Sequence, residues 1–359
     1  MVMVGGVADA FFRPVEDRFR AIVTAQRGTG AALCVSIEGR IVLDIWGGPA
    51  DASGVTPWER DSVVQPYSVC KPLAAACTLR LIDAGGLGLD DPVQRYWPEF
   101  RAPATVRQLL AHQAGVVAIE EPVETEAFYD WDRLCSLLAR QEPLWEPGNG
   151  HGESALFYGH LVGELVRRID RRGIGRFLWE EICGPLELDF RFGLSPAEQA
   201  RAVELTGLDD EFREQNASGR PELYERAIAN PRGALDGRVV NGADWRAAEI
   251  PAINGHGTAR ALVGFYDALT GGRILSRDLV AEATRSQQYG PDLVFGGEKS
   301  WGLGFGVDDT GFGMGGLGGS WAGVSVDGGY AMAFVTGSMG THDRVNALEE
   351  ALRRSLGLS

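Results

Sequence analysis

The sequence predicts an α+β fold in which one antiparallel sheet packs against helices. Strand-like text occurs near both ends of the chain, over 31–47 and again after residue 299. Between these regions, residues 67 to about 249 are mostly helical in pattern and are broken by loops rich in Pro and Gly. Each strand set is too small to be stable alone, so we expect the two sets to join in one sheet.

The individual elements are predicted from hydrophobic spacing. Apolar residues at helical spacing predict a first helix over 7–27, a helix in TARALVGFYDAL and a last helix over 344–356. Alternating apolar residues predict two strands around a turn at 38–40. Three further strands are predicted in SWGLGFGVDD, SWAGVSVD and GYAMAFVTG, with Asp327-Gly328 as a hairpin turn.

This order of elements divides the chain into two predicted lobes. Residues 1–66 and 253–359 should form a sheet lobe flanked by the N- and C-terminal helices. Residues 67–252 should form a large, all-helical lobe inserted into it. An active site is then expected in the cleft between the lobes, where ligand sites commonly lie.

Composition excludes several classes of function. The 359 residues carry a net charge of −15, which repels phosphate backbones and argues against a nucleic-acid partner. No run reaches the roughly 18 apolar residues of a membrane span, and the N-terminus lacks a secretory pattern. The five cysteines lack metal-ligand spacing. We therefore expect a cytoplasmic, reduced protein without membrane contact, metal ion or cofactor, whose oligomeric state is open.

One short motif carries the chemistry. Ser68 and Lys71 form a Ser-x-x-Lys sequence, and Pro72 is tolerated in a helix only near its start. The helix should therefore begin near Ser68 or Val69, which places Ser68 at the positive end of the helix dipole. Ser68 and Lys71 then share a face, one turn apart. A hydroxyl facing an amine is the arrangement of an activated nucleophile.

The use of lysine at this position is itself informative. The chain contains only two lysines, Lys71 and Lys299, against 32 arginines. Arginine stays protonated in proteins, whereas an ammonium group can lose its proton. A chain that otherwise prefers arginine has therefore kept a lysine beside the serine, which indicates a role that needs an amine.

An ordered set of segments resembles a known superfamily. YSVCKPLAA, LDDPVQRYWPEF, VRQLLAHQAGV, PGNGHGESALFYGHLVGELVRR, NGHGTARALVGFYDAL and WGLGFGVDD with GFGMGGLGGS follow one another along the chain. Together they resemble the class C-like serine β-lactamase and penicillin-binding-protein superfamily, closest to its cytoplasmic family VIII esterase branch. The resemblance implies a β-lactamase-like fold, an acyl-enzyme on Ser68, and a Lys71 that takes the serine proton.

The sequence departs from this family at two motifs. The family's second motif resembles Gly-Tyr-x-Ala, but here Glu153 stands where the proton-handling Tyr is expected. A carboxylate there would favour a charged Lys71 and make it a poorer base. Glu153 is then the base itself, an anchor for a cationic amine, or a relic that merely pairs with Lys71. The third motif resembles His-Gly-Gly, and here Met314 leads it.

The resemblance also implies the remaining site residues. The backbone N–H groups of Ser68 and Leu317 would form the oxyanion hole. Because a thioether cannot hold a carboxylate, Met314 disfavours β-lactams and D-Ala-D-Ala peptides. His112 is expected to brace a helix–loop junction rather than to act in catalysis. The expected substrate-binding residues are Tyr67, His151, Met314, Gly315 and Gly316.

Three functions remain open at this stage. The first is a hydrolase that cleaves a small-molecule ester, amide or thioester through acyl-Ser68. The second is a transacylase, as in natural-product biosynthesis, that passes the acyl group to an amine or alcohol acceptor. The third is a catalytically degenerate homologue retained for binding. The altered residues at 153 and 314 are compatible with either a specialised or a decayed site.

Overall fold

The computed structural model describes residues 3–358; residues 1, 2 and 359, which the predicted lobes include, lie outside the described residues. The strands are β1 (Val4–Ala8), β2 (Ala31–Ile37), β3 (Arg40–Gly47), β4 (Phe190–Arg191), β5 (His256–Gly257), β6 (Gln288–Pro291), β7 (Glu298–Trp301), β8 (Gly306–Val307), β9 (Gly311–Gly315), β10 (Trp321–Ser325) and β11 (Tyr330–Thr336). Nine of them form one antiparallel sheet in the order β1-β3-β2-β11-β10-β9-β8-β7-β6. The strand sets from the two ends of the chain therefore join in one sheet, as predicted.

The helices lie mainly between the two strand sets. They are α1 (Arg13–Ala25), α2 (Lys71–Asp83), α3 (Val106–Leu110), α4 (Trp131–Arg140), α5 (Tyr158–Asp170), α6 (Ile174–Leu178), α7 (Pro196–Gln199), α8 (Asp210–Ala217), α9 (Glu222–Ile228), α10 (Gly237–Val240), α11 (Ala243–Ala247), α12 (Ala259–Thr270), α13 (Arg277–Thr284) and α14 (Asp343–Ser355). None of the helices within residues 3–358 is long and apolar enough to cross a membrane.

The sheet is covered on both faces by apolar contacts. On one face, the first and last helices α1 and α14 bury Phe19 and Leu348 against sheet residues such as Leu33 and Phe334. On the other face, alternate residues of β2 and β11 face a larger core that continues into α2, α5 and α12. This alternation is the period-2 pattern that predicted the strands. The exact lobe boundaries, 1–66 with 253–359 and 67–252, stay a prediction.

Two turns have the conformation that the sequence indicated. Glu38 and Gly39, between β2 and β3, both have positive φ (50° and 76°), which suits a tight hairpin turn. The Asp327-Gly328 pair lies in the turn between the antiparallel strands β10 and β11. Both predicted hairpin turns are therefore confirmed.

Two predicted elements are wrong in their limits. The helix expected over 7–27 covers only Arg13–Ala25, because Pro14 marks its first turn. Before it, Val4–Ala8 form β1 at the sheet edge and Ala10–Phe12 form a 3-10 turn. The segment SWGLGFGVDD is split between β7 and β8, since Gly304 (φ +90°) interrupts it. The C-terminal part of the sheet therefore contains six strands, starting at Gln288, where three were predicted.

Candidate active site

Ser68 lies in a 3-10 turn that leads directly into α2. The turn spans Tyr67–Cys70, and α2 begins at Lys71 with Pro72 in its first turn, so the predicted helix start is confirmed. Tyr67 has φ +49°, a left-handed conformation that is unusual for a bulky residue and occurs at functional sites. Ser68 is half-buried, whereas its immediate neighbours in the turn are buried. Its hydroxyl is therefore the accessible polar group of this turn.

Lys71 is completely buried and surrounded by oxygen atoms. Its Nζ lies 2.7 Å from Ser68 Oγ, 3.0 Å from the carbonyl oxygen of Ala155 and 3.4 Å from that of Ala252. A fourth oxygen, Glu153 Oε1, lies 3.0 Å away. An ammonium group has three N–H donors and no lone pair, whereas a neutral amine would have to turn its lone pair toward one of these oxygens. The environment therefore suits the charged ammonium form.

Glu153 completes a triangle with these two residues. Its Oε1 lies 3.1 Å from Ser68 Oγ and 3.0 Å from Lys71 Nζ, and its side chain is 10% exposed. An ionised carboxylate only accepts hydrogen bonds, so the Ser68 hydroxyl donates to Glu153 while it accepts from Lys71. The structure thus brings the three residues predicted to be catalytic within direct contact of one another.

The segment that carries Glu153 is fixed by groups from two other parts of the chain. Asp292 Oδ2 accepts the Glu153 N–H at 3.0 Å, and His112 Nδ1 accepts the Ser154 N–H at 3.2 Å. Burial lowers the pKa of His112 well below its usual value, which keeps Nδ1 free to accept. The bracing role predicted for His112 agrees with these contacts. No motif or periodic pattern in the sequence points to Asp292.

His151 and Tyr67, two of the expected substrate-binding residues, are both buried. The ring of His151 is 1% exposed and packs against Gly290, and its carbonyl oxygen accepts the N–H of Leu293 at 3.0 Å. Burial lowers its pKa. Tyr67 is also buried, and its hydroxyl donates to the carbonyl oxygen of Ala234 at 3.0 Å. Contact of either side chain with substrate stays a prediction.

Strand β9 brings the third motif beside the Ser68 turn. A Cβ atom on Gly316 would lie 2.0 Å from the carbonyl oxygen of Pro66, so only glycine permits this approach. Within the following turn, the Gly316 N–H donates to the carbonyl oxygen of Ser320 at 2.7 Å and the Gly319 N–H donates to that of Gly316 at 3.1 Å. Leu317 follows Gly316 directly in the chain, and the role of its backbone N–H in the oxyanion hole stays a prediction.

Gly315 and Met314, the other two residues of the third motif, lie on opposite faces of β9. Gly315 is backed by His342, whose Nε2 would lie 2.9 Å from a Cβ added there. Met314 pairs with Ala322 of β10 and is 6% exposed. Its neighbour on the same face, Phe312, packs in the larger core. A thioether on this face offers an apolar surface and no charge.

An apolar wall lies next to the Glu153 segment. A Cβ on Gly152 would lie 2.9 Å from Val294 Cγ2 and 3.0 Å from the Trp145 ring. Val294 belongs to a small buried cluster with Val117 and Ala227, and Trp145 packs against it.

Within residues 3–358, no group of three or more His, Cys, Asp or Glu side chains is placed to hold a metal ion.

Comparison with known proteins gives the family. Residues 15–355 match the Beta-lactamase family. The chain is 32% identical to the Esterase/beta-lactamase LipL of Mycobacterium tuberculosis, over 92% of this chain and 82% of LipL. The chain therefore belongs to the beta-lactamase family of the serine β-lactamase and penicillin-binding-protein superfamily.

Two solved structures of related proteins have nearly the same fold as this chain. A family VIII carboxylesterase superposes with a TM-score of 0.89 at 33% identity, covering 98% of this chain and 100% of its own. A penicillin-binding protein homologue from Caulobacter crescentus gives a TM-score of 0.88 at 33% identity, with the same coverage. These similarities support a serine hydrolase or acyl-transfer enzyme with a β-lactamase-like fold.

Proposed function

We propose that this protein is a serine hydrolase that cleaves a small, uncharged ester, amide or thioester through an acyl-Ser68 intermediate. The observation that carries the proposal is the triangle of Ser68, Lys71 and Glu153, with all three contacts between 2.7 and 3.1 Å. A nucleophile in contact with a proton acceptor, which a third group orients, is the general pattern of covalent catalysis.

Glu153, rather than Lys71, is the proton acceptor in this proposal. Ser68 Oγ attacks the substrate carbonyl carbon, and its proton passes along the existing hydrogen bond to Glu153. The backbone N–H groups of Ser68 and Leu317 stabilise the oxyanion that forms. Lys71 remains an ammonium and stabilises negative charge on Ser68 Oγ. Protonated Glu153 then gives its proton to the leaving group, and acyl-Ser68 remains.

In deacylation, water is the nucleophile and Ser68 is the leaving group. A water molecule attacks the acyl carbon and transfers its proton to Glu153, which returns it to Ser68 Oγ as the acid product leaves. One carboxyl group thus serves both half-reactions. The same geometry would deprotonate an amine or alcohol, so transacylation differs from hydrolysis only in the acceptor.

The surroundings of the triangle support one class of substrate. Met314 supplies no charge to pair with a carboxylate, and the wall of Trp145 and Val294 beside the Glu153 segment is apolar. These features favour an uncharged acyl donor.

Product analysis tests the proposal. The wild-type protein is incubated with a p-nitrophenyl ester of a short acid, alone and with a primary amine or alcohol in excess. We expect release of p-nitrophenol and the free acid. Predominant formation of the amide or new ester would assign the transacylase function instead. Absence of both products and of any acyl adduct on Ser68, over a panel of neutral esters and thioesters, would indicate a decayed site.

A further inference from the structure

We infer that Asp292 and His112 are positioning residues that hold the Glu153 carboxylate against Ser68. This inference rests on the proposed function, in which Glu153 is the proton acceptor. Three successive backbone N–H groups are bound around this residue: Gly152 to the carbonyl oxygen of His112, Glu153 to Asp292, and Ser154 to the ring of His112. No regular helix or strand holds Gly152, Glu153 or Ser154, so these contacts replace a ladder of backbone hydrogen bonds.

Asp292 acts as an acceptor for four N–H groups. Its Oδ2 accepts from the Glu153 backbone at 3.0 Å and from the Trp301 indole at 3.3 Å. Its Oδ1 accepts from the backbone of Val294 at 2.9 Å and Phe295 at 2.8 Å. Burial and the nearby Glu153 charge raise its pKa, while these N–H donors act in the opposite direction. Four N–H donors around Asp292 need an ionised carboxylate, which only accepts hydrogen bonds. An asparagine amide or a protonated Asp292 would direct an N–H or O–H of its own toward one of these N–H groups.

His112 supports the other side of Glu153. It has φ +59°, and its carbonyl oxygen and Nδ1 both face the Gly152–Ser154 segment, at 3.1 Å and 3.2 Å from the amides they bind. Its ring is held between Tyr158 and Trp301, with centroid distances of 4.4 Å and 4.3 Å. Burial, together with the positive charge of Lys71, keeps the pKa of His112 low. The ring is therefore neutral, and its Nδ1 lone pair is available.

The two supports are joined through one side chain. Trp301 donates to Asp292 and packs its ring against His112, so a shift of either support is transmitted to the other. Glu153 Oε1 has to stay near 3.1 Å from Ser68 Oγ to take its proton. Misplacement of a catalytic group by about 1 Å can cost about 10²-fold in rate. The supports therefore have a measurable role in catalysis without touching substrate.

A double-mutant cycle tests the role of Asp292. The rate of Ser68 labelling by a fluorophosphonate is measured for wild type, Asp292→Asn, Glu153→Gln and the double variant. We expect Asp292→Asn to slow labelling by about 10²-fold in the wild-type background. In the Glu153→Gln background, Asp292→Asn should slow labelling only about twofold, because the carboxylate that Asp292 positions is already absent. With an ester substrate, kcat should fall while KM stays constant.

A matched control separates this effect from the loss of a buried charge. Asp267, in α12, is a partly buried carboxylate that also has a raised pKa, and it accepts a hydrogen bond from Ser36 of β2 at 2.8 Å. Asp267→Asn should leave the labelling rate unchanged. Equal losses for Asp292→Asn in both backgrounds would overturn the inference. Labelling of Glu153→Gln at the wild-type rate would instead overturn the proposed function of Glu153, and with it the inference.

Two substitutions at His112 give a second, independent test. The two variants are compared with each other, so the test remains valid if both lose some stability. Asparagine keeps an acceptor near the Nδ1 position and accepts positive φ, but it loses the ring. Leucine keeps more of the volume but has no acceptor. We expect His112→Asn to retain at least about tenfold more labelling activity than His112→Leu, since positioning needs the acceptor. If His112→Leu is the faster variant, the ring serves packing alone and the inference fails for His112.

Discussion

Lys71 Nζ and Glu153 Oε1 lie 3.0 Å apart, and the lysine side chain has no exposed surface. Removing one member of such a buried pair leaves the other charge without a partner, which typically costs 3–5 kcal/mol. We therefore expect Lys71→Met to lower the free energy of unfolding by about 3–5 kcal/mol, as measured by urea denaturation. The double variant Lys71→Met/Glu153→Gln should recover much of this loss. If the double variant is less stable than Lys71→Met, the pair is not the source of the effect.

Ser68 should be the site of covalent modification. Its hydroxyl is the accessible polar group at the start of α2 and contacts both Lys71 and Glu153. We expect intact-mass spectrometry to show one adduct after treatment with a serine-directed phosphonate, and none on Ser68→Ala. The exposed helix-capping Ser195 provides a control, because Ser195→Ala should be labelled like wild type. Equal labelling of wild type and Ser68→Ala would reject the nucleophile assignment.

Glu153→Tyr distinguishes a specialised site from a decayed one. The substitution introduces the Tyr of the Gly-Tyr-x-Ala motif, whereas the native carboxylate contacts Ser68 and the Glu153 backbone N–H donates to Asp292. If Glu153 is the working base, esterase activity in Glu153→Gln should fall by about 10²–10⁴-fold. Glu153→Tyr should not exceed wild type. Strong esterase activity that is present only in Glu153→Tyr would show that the native protein is not a hydrolase.

The local part of the site could be predicted from the sequence. The spacing of Ser68 and Lys71 within one helical turn, together with Pro72, fixes their relative position by backbone geometry alone. Glu153 can be identified only from the order of several segments, because it is separated from Ser68 by 85 positions. Local periodicity carries no information about such distant contacts.

Other features lay beyond sequence reasoning for a physical reason. Asp292 lies 139 positions from Glu153 and binds its backbone N–H, a contact that leaves no trace in the identity of the residue bound. Strand β1 includes Gly5 and Gly6 and has exposed Val7, so it lacks the alternation that marks a half-buried strand. Strand β8 has only two residues, too few to show a period.

Met314 should prevent efficient turnover of penicillins and cephalosporins. No charge at this position of β9 can pair with the carboxylate of these compounds. We expect little or no hydrolysis of nitrocefin by low micromolar enzyme, with neutral esters used as the positive control. Met314→Lys should improve nitrocefin hydrolysis relative to ester hydrolysis, because it introduces the missing cation. Efficient nitrocefin hydrolysis by the wild type would contradict the assignment of an uncharged substrate.

The histidines should make the fold sensitive to mild acid. His112, His151, His160 and His256 are all buried, and burial lowers the pKa of each, to about 3 for His160 and His256. In the unfolded chain these groups titrate near pH 6.5. Between pH 6.5 and the lower folded pKa, the unfolded state binds more protons than the folded state. The stability that these neutral histidines contribute is therefore fully present above about pH 6.5. It is lost as the pH falls below that value.

The expected size follows from about 1.4 kcal/mol per pH unit for each proton. The three groups with the most strongly lowered pKa, His112, His160 and His256, would lower the free energy of unfolding by about 4 kcal/mol at most between pH 7.5 and 5.5. The partly buried carboxyl of Asp267 and the buried carboxyl of Asp292 have raised pKa values and oppose this loss, because they bind protons more readily in the folded state. Urea denaturation at pH 7.5 and 5.5 measures the difference.

One substitution assigns part of this pH dependence to a single group. His160 packs against Trp131 at a centroid distance of 4.6 Å, and neither ring nitrogen has a hydrogen-bond partner among residues 3–358. A phenylalanine there keeps the ring contact and removes the titrating group. We expect His160→Phe to reduce the loss between pH 7.5 and 5.5 by about 1 kcal/mol relative to wild type. An unchanged loss would mean that His160 is not neutral in the folded protein, since only an uncharged buried imidazole generates this dependence.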